Sequence, residues 1–196
     1  MNKSPFLVNN TKKGGSFFME LKGSKTEKNL MAAFAGETQA RTKYHYYSRK
    51  AKEDGYGYIA RIFEETAANE MAHAKIWFKL LKGGMPGTLD NLKDGAAGED
   101  YEWSEMYKEF EQTAKEEGFD SIAKLFKEVG EIEKTHMDRY NRLIKEVENG
   151  EVFKKDMEVC WKCANCGHIE YGMSAPDVCS VCAHPKAYFE VNNENC

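Results

Sequence analysis

The sequence predicts a mainly α chain, a four-helix bundle followed by a small cysteine-knuckle domain. Three observations carry this. Between Ser24 and Glu148 apolar residues recur at spacings of three and four in four segments. Glycines and a proline interrupt the segments at Asp54-Gly55, Gly83-Gly84, Pro86 and Gly118. Five of the six cysteines crowd between Cys160 and Cys182. A chain of 196 residues is long enough for one ordinary core and an appendage.

Charged residues make up 31% of the chain, yet the net charge is only -4 and no long block carries one sign. That excludes a nucleic-acid binder with a clustered basic face. No run approaches the roughly 18 apolar residues needed to span a bilayer. The N-terminal segment lacks the apolar core of about 7 to 15 residues that marks a secretion signal. A cytoplasmic location is therefore expected, and in that reducing compartment the cysteine cluster reads as a metal site rather than a disulfide framework.

Residues 1–18 are polar, contain Pro5 and Gly14-Gly15, and show no helical period. They read as a disordered leader. Two origins stand open for it: an ordinary extension, or translation of a purine-rich ribosome-binding site through Lys12-Lys13-Gly14-Gly15, with Met19 as the native start. Helix A is predicted from Ser24, because Ser24-Lys25-Thr26-Glu27 fits a reciprocal capping box, and runs to Asp54-Gly55. Helix B runs from about Gly57 to Gly83-Gly84, where two glycines and Pro86 forbid continuation. Met85 to about Gly98 is expected to be a long crossover loop. Helix C then covers roughly Glu99 to Glu117, and helix D Asp120 to Glu148. Four helices with one long central connection give a ferritin-like topology. The predicted domains are 19–150 for the bundle and 151–196 for the tail, since helical period is lost after Gly150.

On helix B the apolar stripe passes Ile59, Ile62, Phe63, Thr66, Glu70, His73, Trp77, Leu80 and Leu81. Helix D repeats it through Ile122, Leu125, Phe126, Val129, Glu133, His136, Tyr140, Leu143 and Ile144. Each stripe thus carries a Glu-x-x-His pair, stacked on one face by its i, i+3 spacing. The stripe of helix A includes Glu37 and Tyr44, and Glu99 and Glu102 precede Met106 and Phe110 on helix C. A single glutamate on a helix usually faces water. Acids on the core face of all four helices are a different matter, because buried unpaired carboxylates cost several kcal/mol each. Two divalent metals supply the missing positive charge. This arrangement resembles that of ferritin-like di-metal carboxylate proteins, with a Glu from each of two helices and a Glu-x-x-His from each of the others.

In the tail, Cys163-Ala164-Asn165-Cys166-Gly167-His168 and Cys179-Ser180-Val181-Cys182-Ala183-His184 are two copies of one knuckle. A doubled C-x-x-C points four thiolates at one tetrahedral metal, and iron and zinc both accept that spacing. Cys160 offers a second register with Cys163, but the matching tails Cys166-Gly167-His168 and Cys182-Ala183-His184 favour 163/166. Trp161, Tyr171, Tyr188 and Phe189 are expected to form the small aromatic core.

Helix A carries Ala35-Gly36-Glu37-Thr38-Gln39-Ala40-Arg41, helix C has an extra carboxylate, and the tail reads W-x-C-x-x-C-G then C-x-x-C-x-H-P. Together these resemble the rubrerythrin family from Met19 onward, with Ser180 standing where that family usually has proline. The resemblance implies a ferritin-like di-iron bundle with a rubredoxin-like iron tail, three Fe per subunit. It implies Glu37, Glu70, Glu99, Glu102, Glu133 and His136 as bundle ligands, Glu70 and Glu133 as bridges, and His73 as a redox-dependent ligand. It implies Cys163, Cys166, Cys179 and Cys182 as tail ligands. Tyr44 and Tyr107 would hydrogen-bond the carboxylates; a core-edge tyrosine with its hydroxyl in water is the open alternative.

The implied activity is reduction of hydrogen peroxide to water, with electrons from rubredoxin or an NAD(P)H-dependent reductase. A head-to-tail homodimer or higher oligomer is implied too. Two other functions remain open: a ferroxidase or iron buffer, and a scaffold with a zinc-ribbon tail that binds a partner.

Overall fold

The computed structural model describes residues 20–192. The leader, the alternative start at Met19 and Cys196 lie outside them. Helix α1 spans Lys25–Glu53, α2 Gly57–Lys82, α3 Thr88–Tyr101, α4 Tyr107–Glu116 and α5 Asp120–Glu148. A π-helical turn, Glu102–Met106, joins α3 to α4. Three strands follow, β1 Lys154–Cys163, β2 Ile169–Ser174 and β3 Phe189–Val191, with a short 3-10 turn at Lys186–Tyr188. The chain divides into two compact units, one ending at Pro86 and one beginning at Gly87.

In the first unit α1 and α2 form a helical hairpin. Ser24 caps α1 as predicted, its hydroxyl accepting from the Glu27 N–H at 3.0 Å. The return arm of the box reaches one residue further back: Glu27 accepts from the Gly23 N–H at 2.6 Å. Helix α2 ends at Gly83, whose φ of 69° is left-handed and suits a residue without a Cβ. The seam of the hairpin is built on small residues: Ala60, Ala67 and Ala74 are buried one heptad apart, opposite Ser48 and Ala51. Ring contacts extend it, Phe34 to Phe78 at 5.8 Å and Tyr47 to Phe63 at 5.5 Å. The expected stripe is therefore only partly a seam, since Ile59 and Ile62 stay exposed. Small side chains let two helices approach closely, and that places the larger apolar groups outside the contact.

The second unit corrects one prediction. Met85 to Gly98 is not a long loop: only Gly83–Gly87 separates α2 from α3, and α3 begins at Thr88. Gly95 and Gly98 suggested a loop because glycine is a poor helix former. Packing overrides that propensity, for Ala96 is buried and Gly95 lies against Tyr140 of α5, where an added Cβ would sit 3.2 Å from the ring. Helices α3 and α4 pack along α5, with Ala114, Ala123 and Gly130 buried. Tyr107, Phe110 and Phe126 form a ring cluster with centroids 5.5 to 6.2 Å apart. Ile122 and Leu125, like their counterparts on α2, are exposed.

The tail sheet has strand order β2-β1-β3, antiparallel throughout, with a bulge in β1 between Lys154 and Val159. Its core is Trp161, Cys163, Ala175, Cys179 and Phe189. Trp161 is fully buried, and its indole N–H donates to the Gly172 carbonyl at 3.0 Å. Of the four aromatics expected inside, Trp161 and Phe189 are buried, whereas Tyr171 and Tyr188 face solvent on a sheet too small to cover them.

Candidate metal centres

The i, i+3 spacing of each Glu-x-x-His pair does what helical geometry requires. On α2, Nδ1 of His73 lies 2.9 Å from Glu70 and 3.8 Å from Glu37, which α1 brings across the hairpin. On α5, Nδ1 of His136 lies 2.7 Å from Glu133 and 3.7 Å from Glu99 of α3. Within each trio, Glu37/Glu70/His73 and Glu99/Glu133/His136, one ligand atom per residue falls within 4.8 Å of the others. The two trios are copies of one arrangement, a carboxylate from one helix and a Glu-x-x-His from its neighbour, each complete within its own unit.

The electrostatics of the second trio suit a cation. Burial, followed by hydrogen bonding to Glu133 and its charge, raises the Glu99 carboxyl above the usual range. Burial also raises Tyr107, with the charges of Glu102, Glu133 and Glu99 adding to it, so its hydroxyl keeps its proton. Glu102 opens the π-helical turn and acts on both groups through its charge, but it stands outside the trio. Tyr107 packs closely on α5 because Gly130 leaves room: a Cβ there would lie 3.1 Å from that of Tyr107. Tyr44 packs its ring on Tyr47 and Phe63, at 6.2 and 6.1 Å.

Cys163, Cys166, Cys179 and Cys182 gather into one group, the register that the matching knuckles favoured, and Cys160 is buried on β1 outside it. Across the knuckles, Sγ of Cys163 lies 3.6 Å from that of Cys182, and Sγ of Cys166 lies 3.7 Å from that of Cys179. A tetrahedron with metal–sulfur bonds of about 2.3 Å has edges of about 3.8 Å, so the donor set fits one metal. Each knuckle closes on itself in the same way, Cys163 N–H to the His168 carbonyl and Cys179 N–H to the His184 carbonyl, both 2.8 Å. The residue after each second cysteine is left-handed, Gly167 at φ 77° and Ala183 at φ 57°.

Main-chain N–H groups then reach the sulfurs. That of His184 is the largest influence on Cys182, which is held down to about 6. The N–H of His168 acts the same way on Cys166, but the neighbouring thiols and burial outweigh it and push Cys166 up to about 12. Four crowded sulfurs share protons unequally, and a divalent or trivalent metal removes that conflict.

Two features of the sites were invisible in the sequence. The π-helical turn at Glu102–Met106 has no residue signature, although such turns gather at functional sites. The side-chain bridge between Ser180 and His168 needed the knuckles' mutual placement.

The rubrerythrin family model matches residues 28–144, and the rubrerythrin rubredoxin-like domain model matches residues 161–190. A rubrerythrin from Porphyromonas gingivalis is 45% identical, over 89% of this chain and 94% of its own. Rubrerythrin-1 from Clostridium acetobutylicum is 47% identical, over 89% of this chain and 98% of its own. A rubrerythrin from Nitratidesulfovibrio vulgaris is 43% identical, over 87% and 96%.

Proposed function

Because the chain belongs to the rubrerythrin family, with a di-iron bundle and a rubredoxin-like tail, we propose that it is a peroxidase that reduces hydrogen peroxide to water. The observation that carries this reading is the presence, in one chain, of two Glu/Glu/His trios and a four-thiol site. The donor sets match three iron ions per subunit. In the proposed assignment Glu37, Glu70, Glu99, Glu102, Glu133 and His136 would hold the two bundle irons, with Glu70 and Glu133 in the bridging role, and the four cysteines would hold the third ion.

When bound, the di-iron centre would supply two electrons to the O–O bond, H2O2 + 2H+ + 2e- giving two waters, and the tetrathiolate iron would restore those two electrons to it one at a time. The residues do the rest. His73 is the most exposed member of its trio, 51% against 27% for Glu37 and 17% for Glu70, which would suit the role of a redox-dependent ligand. Tyr107 holds a proton on Oη beside Glu99, Glu102 and Glu133, where it can donate to a carboxylate that shifts. Tyr44, one heptad from Glu37 on α1, is the proposed hydrogen-bonding partner for that carboxylate. Electrons come from rubredoxin or an NAD(P)H-dependent reductase, and the chain works as a head-to-tail homodimer or higher oligomer in the cytoplasm. No helix among the described residues is long and apolar enough to cross a membrane.

Purified protein supplied with NAD(P)H, a reductase and rubredoxin should consume hydrogen peroxide through many turnovers. Iron uptake without sustained peroxide consumption would instead favour a ferroxidase or iron buffer. A colourless, zinc-filled tail would favour a partner-binding module.

A further inference from the structure

The two cysteine knuckles are near copies in their backbones, but their histidine rings part company. The ring of His184 stays at home: Nδ1 lies 3.1 Å from the carbonyl of Cys182, and the ring stacks edge-on against Tyr188 at 4.5 Å. The ring of His168 crosses over. Its Nε2 lies 3.1 Å from Oγ of Ser180, which sits between the two cysteines of the other knuckle, and 3.2 Å from Oε2 of Glu170 on β2. A carboxylate only accepts, so Nε2 carries the hydrogen and shares it between Glu170 and the serine oxygen.

We propose that Ser180 and His168 form a clasp between the knuckles that positions the four sulfurs, and so sets how firmly the tail holds its metal and at what potential that metal accepts an electron. The geometry gives the bridge leverage. His168 is two residues from Cys166, and its own N–H points at that sulfur, while Ser180 adjoins Cys179. Cys166 and Cys179 form a cross-knuckle sulfur pair, 3.7 Å apart. A bridge from Ser180 to His168 therefore spans the same gap as this pair. The opposite pair, Cys163 and Cys182, has its own backbone tie nearby, from the Ala164 N–H to the Tyr188 carbonyl at 2.8 Å. Both of these sulfur pairs thus have a link nearby besides the metal. Hydrogen bonds and dipoles around tetrathiolate sulfurs are among the factors that set reduction potential. This assignment holds whatever substrate the bundle takes.

The test uses the full-length iron-loaded protein and two readouts: release of tail iron to a chelator, followed by loss of its visible absorbance, and the midpoint potential of the tail. Ser180→Ala should release tail iron about threefold faster, the worth of one modest hydrogen bond, and shift the potential. Ser180→Thr keeps the hydroxyl and should retain the parental values. His168→Ala should match Ser180→Ala in direction, and the double variant should go no further than the larger single change, because both remove one bridge. Unchanged release and potential in Ser180→Ala, or effects that multiply in the double variant, would overturn the clasp.

Discussion

Replacing Trp161 with alanine strikes the tail where its metal affinity is built. The side chain is fully buried between the sheet and the knuckles, two residues before Cys163, and its N–H holds the Gly172 carbonyl of β2 at 3.0 Å. Removing a buried tryptophan costs about 3–5 kcal/mol in lost burial and cavity. The carbonyl left behind adds about 1 kcal/mol or more if water does not reach it. A domain of this size has little stability to lose, so its folding and its metal binding are one equilibrium. The core loss should therefore appear as metal affinity, weakened by about a hundred- to several thousand-fold at 1.4 kcal/mol per decade. Trp161→Phe keeps most of the ring and should lose much less. Competition between the tail and a calibrated zinc chelator measures both variants on one scale, and iron in the bundle serves as the internal control. Parental tail affinity in Trp161→Ala would refute the idea that this core and the tetrathiolate fold as a unit.

Other expectations follow the same logic. Glu70→Ala removes a proposed bridge and should empty or scramble the bundle centre while the tail keeps its iron and its colour, as read by metal analysis and the visible spectrum. Cys160→Ser should retain the tail metal, since the four sulfurs that come together exclude Cys160; metal loss equal to that of Cys163→Ser would mean the register is wrong. Metal affinity of the tail should depend more steeply on pH below about 6. Above that value Cys182 is already a thiolate, and below it an incoming metal must displace one further proton, so the slope of log K against pH should rise by about one. An unbroken slope from pH 5 to pH 8 would contradict the low value for Cys182.

The parts of the fold that were legible are those governed by local rules. Ser24 and Glu27 mark a helix start, Gly83 marks an end, and the i, i+3 spacing alone sets Glu70 beside His73 and Glu133 beside His136. The doubled C-x-x-C similarly specifies its four-sulfur group. What misled was propensity read without its tertiary partner. Gly95 looks like a loop residue until Tyr140 of α5 stands against it, and α3 forms there because close packing repays a weak helix former. Stripes of large apolar residues also concealed the hairpin seams, which run along Ala60, Ala67 and Ala74, and along Ala123 and Gly130. Glu102 was found as an acid on helix C, but its place at the head of a π-helical turn depends on backbone geometry that no residue type announces.

The proposed relay runs from the tail to a bundle that reduces peroxide, and Cys179→Ser separates the two parts. Cys179 is buried within the four-sulfur group, and the substitution leaves Glu37, Glu70, His73, Glu99, Glu102, Glu133 and His136 untouched. Stopped-flow oxidation of the chemically pre-reduced variant by hydrogen peroxide, followed by steady-state turnover of the same sample with NAD(P)H, reductase and rubredoxin, is the decisive measurement. The single oxidation should proceed at the parental rate and sustained turnover should cease. Turnover as fast as in the parent protein would contradict the relay and leave the tail a role in binding a partner.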